Sequence, residues 1–197
     1  MIQSRDDYRE YYRQDLQRTG LPLHPGLTQR ISERRYRLYR SLRLTEYYTN
    51  CRKDPLGRLA GKFLRLHHRI LCDRYSWTIP INVFGPGLAI VHVGTIVVNG
   101  DAKIGKNCRI HVCTNIGRAP SKEGDGAPIL GDNVYIGPGA KLFGKITIGD
   151  NTAIGANAVV NSSFPDGNCS IGGIPAKKIS DHTSRSYIIG LEDSVGG

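Results

Sequence analysis

Apolar residues recur in two different rhythms along the chain. Up to about residue 75 the spacing is helical. Ser4 followed by Asp7 makes a Ser/Thr-x-x-Asp/Glu start signal for a short helix that Gly20 and Pro22 stop, and Thr28 can cap a second, longer helix running towards Tyr48. In a third, Leu59, Phe63, Leu66 and Ile70 fall at i, i+4, i+7 and i+11 and gather into one stripe, while Lys62, Arg65, His68 and Arg69 point largely elsewhere. That stripe requires a partner surface. Pro80 excludes helix beyond Tyr75.

After Trp77 the step becomes six. Val98, Ile104, Ile110 and Ile116 keep it, and Leu130, Ile136, Leu142, Ile148, Ile154 and Val160 resume it after an interruption. Glycine follows the aliphatic residue at positions 105, 117, 131, 137, 149 and 155. A period of six suits neither a helix nor a flat strand; it suits a chain that turns a corner every six residues and sends one aliphatic side chain inward per flat face. Three faces close one triangular coil, so the pattern predicts a left-handed parallel β-helix behind an α-helical amino-terminal region. Corners this tight favour Gly and Asn, which tolerate positive φ. Ile116 to Leu130 spans 14 residues, two more than two hexads, so residues 118–128 are expected to project as a loop, where binding and catalysis are often placed. Residues 161–170 read as a turn and 171–179 close the solenoid. The expected organisation is a helical region 1–78, a β-helix 79–180 and a polar tail 181–197.

Charge follows the same division. Residues 1–75 carry 17 Lys and Arg against 8 Asp and Glu, whereas the whole 197-residue chain has a net charge of +10. Nearly all the excess is thus in the helical part, where Arg and Tyr interleave over Arg34–Arg40. Such a face is usually solvated, but it also suits an anionic lipid surface or an acidic polymer, and peripheral membrane contact is an expectation; nucleic acid is not. No apolar run approaches a membrane span, and the polar amino terminus resembles no targeting segment, so a cytoplasmic location is expected. Five cysteines without Cys-x-x-Cys spacing argue against a disulfide framework or a zinc knuckle. Cys108 and Cys113 read as structural.

The repeat, the projecting segment and the closing Gly172-Gly173-Ile174-Pro175-Ala176-Lys177 resemble the hexapeptide-repeat acyltransferases, in particular serine acetyltransferases and their polysaccharide O-acetyltransferase relatives. The tract Val91-His92-Val93-Gly94-Thr95-Ile96-Val97-Val98 is similar to the family's Asp-His-x-x-Gly-Ile-Val-Val, in which the histidine is the general base. The resemblance implies acetyl transfer from acetyl-CoA to a hydroxyl, without metal, by a homotrimer that two copies of the helical region could pair into a dimer of trimers. His92 is then the base, since a neutral imidazole removes the proton that makes a hydroxyl a poor nucleophile. His111 lies 19 residues later, one coil plus one, and is expected to stack beside it.

For the cofactor, the resemblance implies pantetheine along Gly137, Pro138, Gly155 and Ala156, contacts at Asn161 and Ser162, and CoA phosphates near Lys177 and Lys178. For the small residues, a corner that merely needs Gly or Ala is an equal reading, and the lysines also read as a solvated end cap. Two departures from serine acetyltransferases favour a sugar or polysaccharide-precursor hydroxyl over serine. Val91 replaces the acid before the histidine, and Gly124-Asp125-Gly126-Ala127-Pro128 lacks that family's second histidine. The alternatives are serine O-acetylation, N-acetylation of an amino sugar, and a binding module without chemistry. A γ-type carbonic anhydrase, which shares the solenoid, holds zinc with three histidines, and this solenoid has only His92 and His111.

Overall fold

In the computed structural model, residues 1–121 and 123–191 are described; Lys122 of the projecting segment and residues 192–197 of the tail lie outside them. Four helices come first: α1 (Arg5–Thr19), α2 (Leu27–Ser32), α3 (Arg34–Cys51) and α4 (Pro55–Arg74). At the start of α1 the Ser4 hydroxyl accepts the Asp7 N–H at 3.0 Å, and Gly20 closes the helix at a φ of 74°. The long second helix of the sequence reading is broken in two. Thr28 caps nothing; α2 starts behind Gly26, and the chain extends at Glu33, whose carboxylate accepts the Arg35 N–H at 3.1 Å and starts α3 afresh. Asp54 caps α4 by accepting the Gly57 N–H at 2.9 Å, with Pro55 in the first turn.

The buried residues of α4 are Gly57, Gly61, His68, Leu71 and Cys72, and α3 is its main helical neighbour. Its apolar stripe faces outward: Leu59, Phe63, Leu66 and Ile70 are 52–65% exposed. His68, expected to point away from the packing, is buried, with its Nε2–H donating to the Ile79 carbonyl at 2.9 Å and Nδ1 3.3 Å from the Ser41 hydroxyl.

The second rhythm builds a left-handed parallel β-helix with three faces. The first face stacks Trp77–Thr78, Ile96–Val98, Thr114–Gly117, Lys141–Phe143 and Val159–Val160. The second stacks Ala89–Ile90, Arg109–Ile110, Tyr135–Ile136, Ala153–Ile154 and Ser170–Gly173, with Ala176–Ser180 returning antiparallel as the closing strand. The third holds Lys103–Ile104, Ile129–Leu130 and Thr147–Ile148.

Register follows from the hexads. Ile90, Ile110, Ile136, Ile154 and Ile171 pair in one column, Val98, Ile116, Leu142 and Val160 in a second, and Ile104, Leu130 and Ile148 in a third. All ten hexad positions are at most 4% exposed. At the corner between the third and second faces, Asn107, Asn133, Asn151 and Asn168 adopt φ values of 48–57°. Their amides bond to one another at 2.8–2.9 Å, and Arg18 of α1 donates to the first at 2.9 Å. Asparagine here supplies both the left-handed backbone and a ladder between coils.

The helices are fastened to the first coils by a buried ion cluster. Arg43 of α3, fully buried, donates to Asp15 of α1 at 2.8 and 3.1 Å, to Glu46 at 3.0 Å, and to the Phe84 and Gly85 carbonyls at 2.9 and 2.7 Å. Asp15 also accepts the Gly87 and Leu88 N–H groups, and Glu46 the Asn82 N–H. Each of the four carboxylate oxygens accepts at least one hydrogen bond, which is the condition under which such a cluster is tolerated. The segment expected to be a polar tail also packs back: Ile188 is fully buried and Tyr187 stacks on Tyr135 at 4.7 Å.

Candidate active site

His92 and His111 occupy the same corner of successive coils, where the second face turns into the first. His111 directly follows the fully buried Ile110 of the second face, and His92 comes two residues after its partner Ile90. The rings meet edge to face with centroids 6.2 Å apart, so the stacking expected from one coil plus one residue is present. His92 is exposed and His111 half-buried. Burial first, then the positive charge of Arg109 and of His92, pushes the His111 imidazole below its usual range, which keeps that ring neutral near pH 7.

The pair continues into aromatic rings that the sequence reading missed. His111 meets Tyr135 at 5.2 Å, Tyr135 meets Tyr187 at 4.7 Å, and Tyr187 meets His182 at 6.2 Å. Tyr135 was within reach of the sequence, because it pairs with Arg109 one coil on once the inserted residues are subtracted. Tyr187 was not, since its place depends on the carboxy-terminal segment folding back.

Along the same corner, the coils beyond the histidines carry Gly137-Pro138 and Gly155-Ala156. The two glycines differ. A Cβ on Gly137 would lie 2.8 Å from the Ala156 nitrogen and the Ile154 oxygen, so coil stacking alone demands glycine there. A Cβ on Gly155 would meet the Ile171 oxygen at 3.4 Å, an ordinary contact, so the fold does not require that glycine. Pro138 and Ala156 are exposed.

The projecting segment is a hairpin of Ala119–Ser121 and Gly124–Gly126. Arg118 holds it, donating to Asp125 at 2.7 Å and to Asp101 at 3.0 Å, which keeps the Asp125 carboxyl below its usual range. Between hairpin and closing strand lies a groove of about 460 Å³, lined by Pro120, Ser121, Phe143, Asn161, Ser162 and Pro175–Lys177. Asn161, Ser162 and Lys177 thus line one groove. Lys178 is not among the lining residues: it pairs with Asp181 at 2.5 Å. Pro120 and Ser121 come from the loop expected to project, and Phe143 is an addition that a linear motif does not reveal.

The five cysteines are free thiols, and burial pushes the Cys108 thiol up to about 12, which suits packing and not nucleophilic attack.

Residues 127–162 match the family model described as bacterial transferase hexapeptide (six repeats). The chain is 37% identical over 95 residues to a serine acetyltransferase of Synechococcus elongatus, covering 48% of this chain and 38% of that one. It is 39% identical over 88 residues to a serine acetyltransferase of Helicobacter pylori, covering 45% and 52%. The matches thus span about half or less of those relatives. Among solved structures, the serine acetyltransferase of Neisseria gonorrhoeae in complex with serine superposes with a TM-score of 0.66 at 23% identity, covering 90% of this chain and 71% of that one. That of Brucella abortus in complex with coenzyme A gives 0.63 at 22%, covering 90% and 68%. With its hexad core, the β-helix carries the bacterial transferase hexapeptide repeat over residues 127–162, is similar in sequence to serine acetyltransferases over about half of this chain, and shares their fold.

Proposed function

We propose that the chain transfers the acetyl group of acetyl-CoA to the hydroxyl of serine. The observation that carries this reading is the His92–His111 pair, with His92 exposed, at one corner of a solenoid whose next coils present small residues at the same corner. The relatives from Synechococcus elongatus and Helicobacter pylori that the solenoid matches are serine acetyltransferases, which supports serine over the sugar acceptor that the sequence departures favoured.

In the proposed reaction, His92 takes the proton of the acceptor hydroxyl as its oxygen bonds to the thioester carbon. The carbon–sulfur bond then breaks, and the coenzyme A thiolate leaves and recovers the proton from the imidazolium, so no covalent enzyme intermediate forms. His111, held neutral, orients the first ring without adding a second charge. The groove between hairpin and closing strand receives the far end of the cofactor, with Lys177 near its phosphates and Asn161 and Ser162 as polar contacts. Chemistry is assigned to residues 79–180 and docking to 1–78, in a homotrimer.

A sugar hydroxyl is the second reading, favoured by aliphatic Val91 beside His92 and by Asp125, whose carboxylate is already taken by Arg118. The test is coenzyme A release, followed with a thiol reagent, from acetyl-CoA offered L-serine and, separately, nucleotide sugars and oligosaccharides. Release with serine supports the first reading. Release with sugars alone replaces it with the second, and tight coenzyme A binding without release to any acceptor argues for a binding module.

A further inference from the structure

We propose that the outward face of α4 seats the protein on an anionic lipid surface. Leu56, Leu59, Phe63, Leu66 and Ile70 form a continuous apolar row, each more than half exposed, on a helix whose opposite side packs against α3. At 1.5 Å per residue the row is about 20 Å long. No described helix is long and apolar enough to cross a membrane, so α4 lies along such a surface and does not span it.

Both flanks of the row are basic. On one side Arg58, Lys62, Arg65 and Arg69 are exposed, and a groove of about 310 Å³ between the end of α3 and α4 takes in Arg52, Lys53, Arg58, Lys62 and Arg65. On the other, a groove of about 380 Å³ brings Arg37 and Arg40 of α3 beside Leu44, Leu64 and His67. Asp73 is the one acidic residue of α4 and lies 3.9 Å from Arg69. Apolar residues between rows of cations match acyl chains beneath anionic head groups, with the long basic stems reaching up to the phosphates.

Charge complementarity selects this occupant. A second copy stacked face to face on α4 would bring the same cationic rows towards each other, a copy meeting it through a different surface is an outcome that sedimentation velocity decides, and a nucleic acid would leave the leucines and Phe63 unused. The inference stands apart from the acetyl-transfer reading, since none of these residues belongs to the histidine corner or the hairpin groove.

The test is co-sedimentation of the full chain with vesicles of phosphatidylcholine alone and of phosphatidylcholine with phosphatidylglycerol, alongside sedimentation velocity without lipid. Binding is expected only to the phosphatidylglycerol vesicles and is expected to weaken with salt. Phe63→Ser with Leu66→Ser lowers it by roughly tenfold or more, and Lys62→Gln or Arg65→Gln by about fivefold each. Melting temperature and sedimentation coefficient stay unchanged. Three results would overturn the proposal: no binding to anionic vesicles, binding indifferent to the Phe63 and Leu66 variants, or variants that change the oligomer and leave vesicle binding untouched. Vesicle-free binding to duplex DNA lost in the Lys62 and Arg65 variants would reassign the basic face to nucleic acid.

Discussion

The most regular apolar rows of the two parts of the chain point in opposite directions. In the β-helix all ten hexad residues point inward and are nearly inaccessible. In the helical region the most regular apolar row points outward, while Leu16, Leu38, Tyr39 and Leu42 share one core with the solenoid around a buried ion cluster of Asp15, Arg43 and Glu46, Tyr39 also accepting the Ile90 N–H at 2.8 Å. A coil of three flat faces has one interior and no choice of what fills it, whereas a helix has a whole circumference. Periodicity therefore reads as burial in the solenoid, and only as amphipathy in the helices.

The largest expected effect breaks the junction between the parts. Arg43→Met keeps the volume and strands two buried carboxylates, so urea denaturation should show a loss of about 3–5 kcal/mol. Next come matched truncations. Ile136→Ala empties a fully buried site and should cost about 2–5 kcal/mol, while Leu66→Ala, 55% exposed, should stay within about 0.5 kcal/mol of wild type; equal losses would erase the contrast between inward and outward rows.

The two corner glycines sharpen it within the solenoid. Gly137→Ala forces backbone contacts apart and should cost about 1–3 kcal/mol, whereas Gly155→Ala should leave the melting temperature alone and raise the KM for acetyl-CoA. A Gly155 variant with unchanged kinetics would make that residue a mere corner.

The smallest effect concerns pH. Burial, the leading cause, depresses the His68 pKa from its ordinary 6.5. The unfolded chain therefore binds the proton more readily than the folded one. The stability tied to His68 is fully present above 6.5 and is lost as pH falls below it, and melting curves of His68→Asn should show a flatter dependence across that window.

Much of the fold was legible because the hexad leaves a fixed trace, one inward aliphatic per face, and the excess of two residues between Ile116 and Leu130 correctly announced the hairpin. The break at Glu33 was hidden, since a side chain that caps from within an Arg-rich run carries no periodic mark. The outward direction of Leu59, Phe63, Leu66 and Ile70 was hidden for a deeper reason: amphipathy is the same whether the apolar side meets protein or something else. At the site, the histidine pair followed from the coil length, but the Tyr135–Tyr187 stack and the hairpin wall of the groove arise from segments distant in sequence.

The central claim is that chemistry belongs to the solenoid corner, and the most direct measurement is coenzyme A release by His92→Ala and His111→Ala beside wild type, with melting temperatures taken on the same samples. His92 is exposed, so its loss should lower turnover by roughly 10²- to 10⁴-fold with the fold intact, and His111→Ala should lower it less. Turnover unchanged in a well-folded His92→Ala protein would contradict the claim.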